Sequence, residues 1–114
     1  MPAKKKVILI NGNSCTPELE ERWQKWYMGT HIPMVLEFKG VKGATRYKIT
    51  GDTEGGKYPD YISVFQFESR EDADAYEKSP EHDAALMDFE KTWKDKGHQR
   101  KWRVYYEEIK TWEK

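Results

Sequence analysis

The arrangement of apolar and polar residues predicts an α+β fold in the order β-α-β-β-α-β. Three observations predict it: an unbroken apolar run near the start, two segments with apolar residues at helical spacing, and two alternating segments joined by a polar loop. The chain has 114 residues, the usual length of one domain, and we expect a single domain over residues 1–114. Aromatic residues make up 14% of the chain, which argues against disorder.

The first strand is predicted over residues 5–11. Its centre is the apolar run from Val7 to Ile10, which is typical of a strand buried on both faces. Residues 11–14 contain asparagine, glycine and serine, so we expect a turn there. Thr16 and Pro17 then suit the N-cap and the first residue of a helix.

The first helix is expected to have one apolar face and to be interrupted. Gly29 and Pro33 both disfavour a continuous helix, so we predict a break there, followed by a short helical turn over residues 34–38. The apolar residues at helical spacing are Leu19, Trp23, Trp26 and Tyr27.

Two further strands are predicted over residues 40–50 and 60–68, with a polar, glycine-rich loop at residues 51–56. Neighbouring residues of a strand point to opposite faces of the sheet. One face of the strand at 40–50 is expected to carry Val41, Gly43, Thr45, Tyr47 and Ile49, and the other Ala44, Arg46 and Lys48. One face of the strand at 60–68 is expected to carry Tyr61, Ser63, Phe65 and Phe67.

The second helical segment is expected to begin at a Ser69 cap, to restart at Ser79 and Pro80, and to end at Gly97. Its apolar stripe is predicted to contain His82, Ala85, Leu86, Phe89 and Trp93. The last strand is predicted over residues 102–109, with Trp102, Val104 and Tyr106 alternating against Arg103 and Tyr105.

This order of elements corresponds to the ferredoxin-like split βαβ arrangement, a four-stranded antiparallel sheet with two helices on one face. The other face needs cover, because the strands at residues 5–11 and 60–68 are too apolar to lie against water. We therefore predict a homodimer, a dimeric α+β barrel, in which two sheets pack through their open faces and the last strand reaches across the interface.

Several short motifs resemble one family. The motifs Trp23-x-x-Trp26, His31-Ile32-Pro33, Gly40-Val41 and Arg46-Tyr47 are similar to the EthD-like branch of the dimeric α+β barrel superfamily. The stretch Ala75-Tyr76-x-x-Ser79-Pro80-Glu81-His82 resembles the matching helix start of stress-responsive barrel proteins and polyketide cyclases of that superfamily. The superfamily includes cyclases, lactone isomerases, cofactor-free monooxygenases and haem enzymes, so the fold alone does not select an activity.

Two histidines are the candidate acid–base residues. The resemblance implies that His31 points into a cavity between the helices and the sheet, where a neutral imidazole can exchange a proton with a carbon beside a carbonyl. The alternative is a structural histidine that bonds the backbone where Pro33 breaks the helix. His82 lies on the apolar stripe near a helix start, where burial and the helix dipole disfavour its charged form. The alternative for His82 is a core histidine.

Aromatic residues are the candidate ligand contacts. Tyr47 is predicted to be catalytic, with Tyr27 and Tyr61 as further hydroxyl donors to a developing oxyanion. Arg46 suits a carboxylate, but it is expected on the sheet face opposite Tyr47, near the dimer interface. The predicted substrate-binding residues, each of which also suits a plain core, are Trp23, Trp26, Tyr27, Tyr61, Phe65, Phe89 and Trp93.

Three classes of function remain open. The first, which we favour, is a cyclase, isomerase or lyase that needs no cofactor and acts on a small aromatic, lactone or polyketide-like molecule. The second is a cofactor-free or haem-linked monooxygenase; haem-degrading relatives carry a histidine at the position of Leu86, which counts against haem. The third is a non-catalytic barrel that binds a small hydrophobic molecule.

Composition and spacing exclude other partners. Lysine and arginine total 20 and aspartate and glutamate total 20, which argues against a nucleic-acid partner. The run from Val7 to Ile10 is too short for a membrane helix. Cys15 precedes a helix and is a weak candidate for a reactive thiol, and His98 is expected at the solvated surface. The histidine spacing predicts no metal site, and we expect a cytoplasmic protein.

Overall fold

The computed structural model describes residues 5–93 and 98–114. An antiparallel four-stranded sheet has the strand order β2-β3-β1-β4. Its strands are β1 Val7–Cys15, β2 Val41–Lys48, β3 Tyr61–Phe67 and β4 His98–Glu107. The helices are α1 Glu20–Trp26, α2 Ile32–Leu36, α3 Arg70–Glu77 and α4 Pro80–Trp93, with a 3-10 turn at Pro17–Leu19 and a π turn at Tyr27–His31. The predicted α+β, ferredoxin-like fold is confirmed.

The first strand is longer than predicted, and the predicted turn at residues 11–14 is wrong. Asn11 lies within β1 and pairs with Ser63 of β3 and with Arg103 of β4. Strand pairing on both sides outweighs the local preference of asparagine and glycine for turns. Gly12 is required here, because a Cβ atom at this position would lie 2.7 Å from Cγ of Pro59.

The regular α-helix ends at Trp26 and resumes at Ile32, so the predicted interruption near Gly29 is present as a π turn, and the helical backbone continues through it to Leu36. Proline lacks an N–H, and its ring crowds the carbonyl group four residues earlier in an α-helix. The chain accommodates Pro33 with a π turn, in which the Ile32 N–H donates to the Tyr27 carbonyl oxygen. This widened turn carries His31.

A β-bulge at the start of β2 reverses the faces predicted for that strand. The register against β3 shifts between Val41 and Gly43, so that Lys42 is one extra residue in the ladder. Val41 therefore shares the helix-covered face with Arg46 rather than with Tyr47. The expectation that Arg46 lies on the open face near the dimer interface is wrong for this reason.

The second helical segment starts and restarts at serine caps, as predicted. The Ser69 Oγ accepts a hydrogen bond of 3.2 Å from the Asp72 N–H. The Ser79 Oγ accepts one of 3.1 Å from the His82 N–H, and Pro80 is the first residue of α4. The predicted end at Gly97 lies outside the described residues.

The core lies between the helices and the sheet, in two groups of side chains. The first joins the sheet to α2, α3 and α4 and contains Val7, Leu9, Val35, Val41, Phe65, Phe67, Ala73, Tyr76 and Ala85. The second, the aromatic cluster, is centred on Trp23, Tyr27 and Trp93. Trp23 is fully buried, and its ring centroid lies 5.1 Å from that of Trp93 in an edge-to-face arrangement.

The open face of the sheet carries a row of exposed apolar side chains. Arg103 and Tyr105 point to the helix side of β4, where both bond Glu77, so the predicted alternation of the last strand is confirmed. The exposed apolar residues of this face are Tyr47, Ile49, Trp102, Val104 and Tyr106. Among the helices of residues 5–93 and 98–114, none is long and apolar enough to cross a membrane.

Candidate functional site

A cavity lies between the helix-covered face of the sheet and the helices. Its volume is about 60 Å³. The two histidines predicted from the sequence line this one cavity. Its lining residues are Leu9, Asn11, Asn13, Tyr27, His31, Val35, Tyr76, His82, Ala85, Leu86, Phe89 and Arg103.

His31 is held at the cavity by aromatic rings. Its imidazole stacks on Trp26, with 5.2 Å between the ring centroids and 30° between the ring planes. The centroid of Tyr27 lies 4.9 Å away and that of Phe89 lies 6.0 Å away. The His31 Nδ1 is buried and has no hydrogen-bond partner among the described residues. The described chain therefore leaves one nitrogen of this cavity-lining ring without a partner.

The environment of His31 keeps its imidazole neutral. Burial lowers the pKa of His31 to about 4; the nearby Asp88 carboxylate acts to raise the pKa, and the Arg46 guanidinium adds to its lowering. Asp88 is fixed by Trp26, whose indole Nε1 donates a 3.0 Å hydrogen bond to its Oδ2. At neutral pH the ring is therefore free to accept a proton, and a carboxylate stands near the charge that would form.

His82 lies at the other end of the cavity, beside a charged cluster. The Arg103 guanidinium bonds both carboxylate oxygens of Glu77, at 3.2 and 2.6 Å, and the Tyr105 hydroxyl donates to the same carboxylate. The Nη2 of Arg103 lies 3.5 Å from the Nε2 of His82. The imidazole also meets the ring of Tyr76 edge to face, with centroids 5.1 Å apart.

Tyr27 closes the cavity towards the aromatic cluster, and Arg46 lies behind it. The Arg46 Cζ is 3.9 Å from the centroid of the Tyr27 ring. The guanidinium is held by 2.8 Å hydrogen bonds to the Ser63 Oγ and the Gln24 Oε1. Burial raises the pKa of Tyr27, although hydrogen bonds with Ser63 and Asn11 and the charge of Arg46 act to lower it. Its hydroxyl is therefore a neutral donor.

Two asparagines on the cavity floor were missed from the sequence. Asn11 and Asn13 point from β1 to the helix side, and Asn13 is only 2% exposed. The Oδ1 atoms of both are buried and have no hydrogen-bond partner among the described residues. The residues look like a turn in the sequence, and the signal that could have found them is their alternation with Val7 and Leu9, at positions 7, 9, 11 and 13.

Other predicted site residues lie away from the cavity, and Tyr47, which was predicted to be catalytic, is the clearest case. Tyr47 lies on the open face, with 52% of its surface exposed, because the β-bulge places Arg46 on the helix side instead. Tyr61 donates to the Glu20 carboxylate, and this bond raises the Tyr61 pKa to about 12. Of the predicted substrate-binding residues, Tyr27 and Phe89 line the cavity, and Trp23, Trp26, Phe65 and Trp93 belong to the two core groups. Tyr61 belongs to neither set.

The remaining candidates contribute little to this site. Cys15 is a free cysteine, does not line the cavity, and has a thiol pKa raised by burial, which disfavours a thiolate. Within residues 5–93 and 98–114 no group of three or more histidine, cysteine, aspartate or glutamate side chains is arranged to hold a metal ion.

The cavity combines unpartnered polar atoms with an apolar wall. Nδ1 of His31, Nδ1 of His82 and Oδ1 of Asn11 and Asn13 are all buried without partners in the described part of the chain, and all four residues line it. Buried polar atoms are nearly always satisfied in proteins. The site therefore places polar atoms that have no partner in the described chain next to an apolar wall and a neutral imidazole.

A family model matches residues 7–106 of the chain, and its description is a domain of unknown function, DUF4286. No curated protein matches the chain in sequence.

Solved structures with similar folds support the resemblance found in the sequence. An ethyl tert-butyl ether d (EthD) family protein from Bacillus halodurans is 17% identical and superposes with a TM-score of 0.68. The match covers 92% of this chain and 99% of the Bacillus protein. SnoaB, a cofactor-independent oxygenase from Streptomyces nogalater, is 8% identical and has a TM-score of 0.63. The match covers 93% of this chain and 95% of SnoaB. A putative monooxygenase from Shewanella loihica is 17% identical and has a TM-score of 0.58. The match covers 97% of this chain and 100% of the Shewanella protein. These likenesses confirm the EthD-like fold.

Proposed function

We propose that this chain, which belongs to the DUF4286 family, is an enzyme that removes a proton from a small enolisable or phenolic ligand. The family description assigns no activity, so the proposal is based on the cavity. His31 accepts the proton, and the electron pair stays on the ligand as an enolate or phenolate. Return of the proton at another carbon gives an isomerase, and attack of the enolate within the molecule gives a cyclase.

One observation carries the proposal: a buried, neutral imidazole with an unpartnered nitrogen lines a cavity. A low pKa makes His31 a weak base in the empty cavity. The anion left on the ligand forms next to the new imidazolium and stabilises it, and Asp88 adds to this effect. Hydrogen-bond donors at the cavity, including the Tyr27 hydroxyl and the amide groups of Asn11 and Asn13, are suited to the negative oxygen.

The proposal predicts exchange of acidic hydrogens on a ligand that binds. Cyclic ketones, lactones and dihydroxyaromatic compounds are screened for quenching of tryptophan fluorescence, since Trp26 stacks on His31. For each binder, the loss of carbon-bound hydrogen in deuterium oxide is followed by proton NMR. We expect at least one binder to exchange faster with the protein than with buffer alone. Binding without exchange across the panel would favour the non-catalytic barrel instead.

A second candidate, a cofactor-free oxygenase, shares the first step. The observation that favours it is the fold of SnoaB and of the putative monooxygenase, both of which are named for oxygen chemistry. In this case the enolate or phenolate passes electrons to dioxygen, which is the oxidant. An oxygen electrode separates the two candidates: uptake of dioxygen during turnover identifies the oxygenase, and turnover without uptake identifies the proton-transfer enzyme.

We also propose that the open face packs against the same face of a second copy. An exposed apolar row of this kind on one sheet face is unusual for a monomer, and a two-fold axis brings the row onto itself. The prediction is a dimeric mass by light scattering at micromolar concentration, and a monomeric mass for Trp102→Glu. The matched control is Trp112→Glu in the exposed C-terminal segment, which should remain dimeric. A monomeric wild-type chain refutes the proposal.

A further inference from the structure

A cluster of four side chains joins α3, α4 and β4 at one end of the cavity. Glu77 is at its centre and receives both Arg103 Nη groups and the Tyr105 hydroxyl. Burial acts to raise the pKa of Glu77, but the bonds from Arg103 and Tyr105 outweigh it, so the pKa lies below its usual value. Glu77 is therefore a carboxylate whose oxygens are already well supplied with donors.

His82 meets this cluster through one nitrogen. Its Nε2 lies 3.5 Å from the Arg103 Nη2 and 3.9 Å from the Glu77 Oε1. Arginine can only donate hydrogen bonds, and an imidazole nitrogen accepts one only when it carries a lone pair. The contact with Glu77 is too long for a hydrogen bond. The lone pair of the ring therefore belongs on Nε2, and the proton belongs on Nδ1.

The groups on the other side of the ring do not oppose this assignment. The Nδ1 of His82 lies 3.7 Å from the Oδ1 of Asp83, which is also beyond hydrogen-bond distance, so the Arg103 guanidinium remains the charged group closest to a ring nitrogen. The ring of Tyr76 packs edge to face against the imidazole and limits its rotation. Histidine in water prefers the opposite tautomer, with the proton on Nε2, so the protein must impose the one described here.

We propose that Arg103 is a positioning residue that holds His82 in the Nδ1–H tautomer and occupies its basic nitrogen. The inference rests on the proposed function, in which both histidines serve one cavity. As a consequence the two histidines have different roles: the basic nitrogen of His82 is occupied, and His31 is the base. Glu77 and Tyr105 act through Arg103 by fixing the direction of its guanidinium.

The tautomer is measured directly on the full chain by long-range proton–nitrogen NMR of uniformly ¹⁵N-labelled protein at neutral pH. The His82 ring is assigned by the signals that disappear in His82→Gln. We expect the wild-type ring to carry its proton on Nδ1 and a bare Nε2. In Arg103→Met the Glu77 carboxylate loses the two Arg103 donors. We expect the carboxylate then to accept from His82, which moves the His82 ring proton from Nδ1 to Nε2. The matched control, Tyr105→Phe, removes one donor of Glu77 and leaves Arg103, so it should keep the wild-type tautomer.

Two results would overturn the inference. One is a wild-type His82 with its proton on Nε2 or on both nitrogens, a test that needs no variant at the cluster. The other is an unchanged tautomer in folded Arg103→Met. Neither result bears on proton exchange by His31, which is measured with a ligand. The failure of this inference and the failure of the proposed function are therefore separate outcomes.

Discussion

Replacement of His31 by glutamine is expected to slow proton exchange on a bound ligand by about 100-fold or more, the usual effect of losing a general base. Glutamine keeps a polar side chain of similar reach, but its amide does not accept a proton at neutral pH. The ring contacts with Trp26 and Tyr27 are lost, so ligand affinity must be measured together with the rate. A fall in kcat with a nearly unchanged ligand Kd identifies lost chemistry rather than lost binding.

The pH profile adds a second signature of the same group. The wild-type kcat/KM should stay level from neutral pH to about pH 5 and fall as the pH approaches the His31 pKa of about 4. The control is Tyr47→Phe, which alters the hydroxyl on the opposite face of the sheet and should leave turnover unchanged. Full turnover in His31→Gln would remove His31 from the mechanism.

The same histidine should make the fold sensitive to acid. In the folded chain the His31 pKa is lowered from 6.5 to about 4, whereas in the unfolded chain it returns to its ordinary value. Above pH 6.5 the ring is neutral in both states. As the pH falls from 6.5 to 4, the unfolded chain binds the proton first, so the free energy of unfolding decreases. The expected loss from this group is about 3 kcal/mol.

This loss is isolated by comparison with His31→Gln, which has no imidazole at position 31. Urea unfolding is followed by tryptophan fluorescence at several pH values between 6.5 and 4. The wild-type curve should fall more steeply than the variant curve, and the difference between them should become constant above pH 6.5. Parallel curves would mean that the His31 pKa is not lowered by folding.

Most of the fold could be predicted from local pattern. The Ser69 and Ser79 caps, the alternation of β3 and the apolar stripe of α4 are encoded by residues close in sequence, and all were predicted. The faces of β2 could not be predicted in the same way. One extra residue, Lys42, reverses every later side chain of the strand, and nothing in the local sequence marks the bulge.

The candidate site was predicted in part for a similar reason. His31 and His82 could be placed because the resemblance and the apolar stripe pointed to a common side of the sheet. Asn11 and Asn13 could not, because their local preference is for a turn and only pairing with β3 and β4 makes them strand residues. Arg103 was predicted to alternate with Trp102 and Val104, but its bond to Glu77 depends on contact between distant elements.

The π turn also explains the spacing of the residues that face inward along the first helical segment. Trp23, Tyr27, His31 and Val35 recur at intervals of four. In a regular α-helix each interval of four advances the side chain by about 40°, so three intervals would carry the last residue well round the axis. A π turn winds less per residue and cancels much of this drift. These four side chains therefore stay on one side of the segment, from the aromatic cluster to the cavity, and loss of one residue from the turn would rotate α2 away from that side.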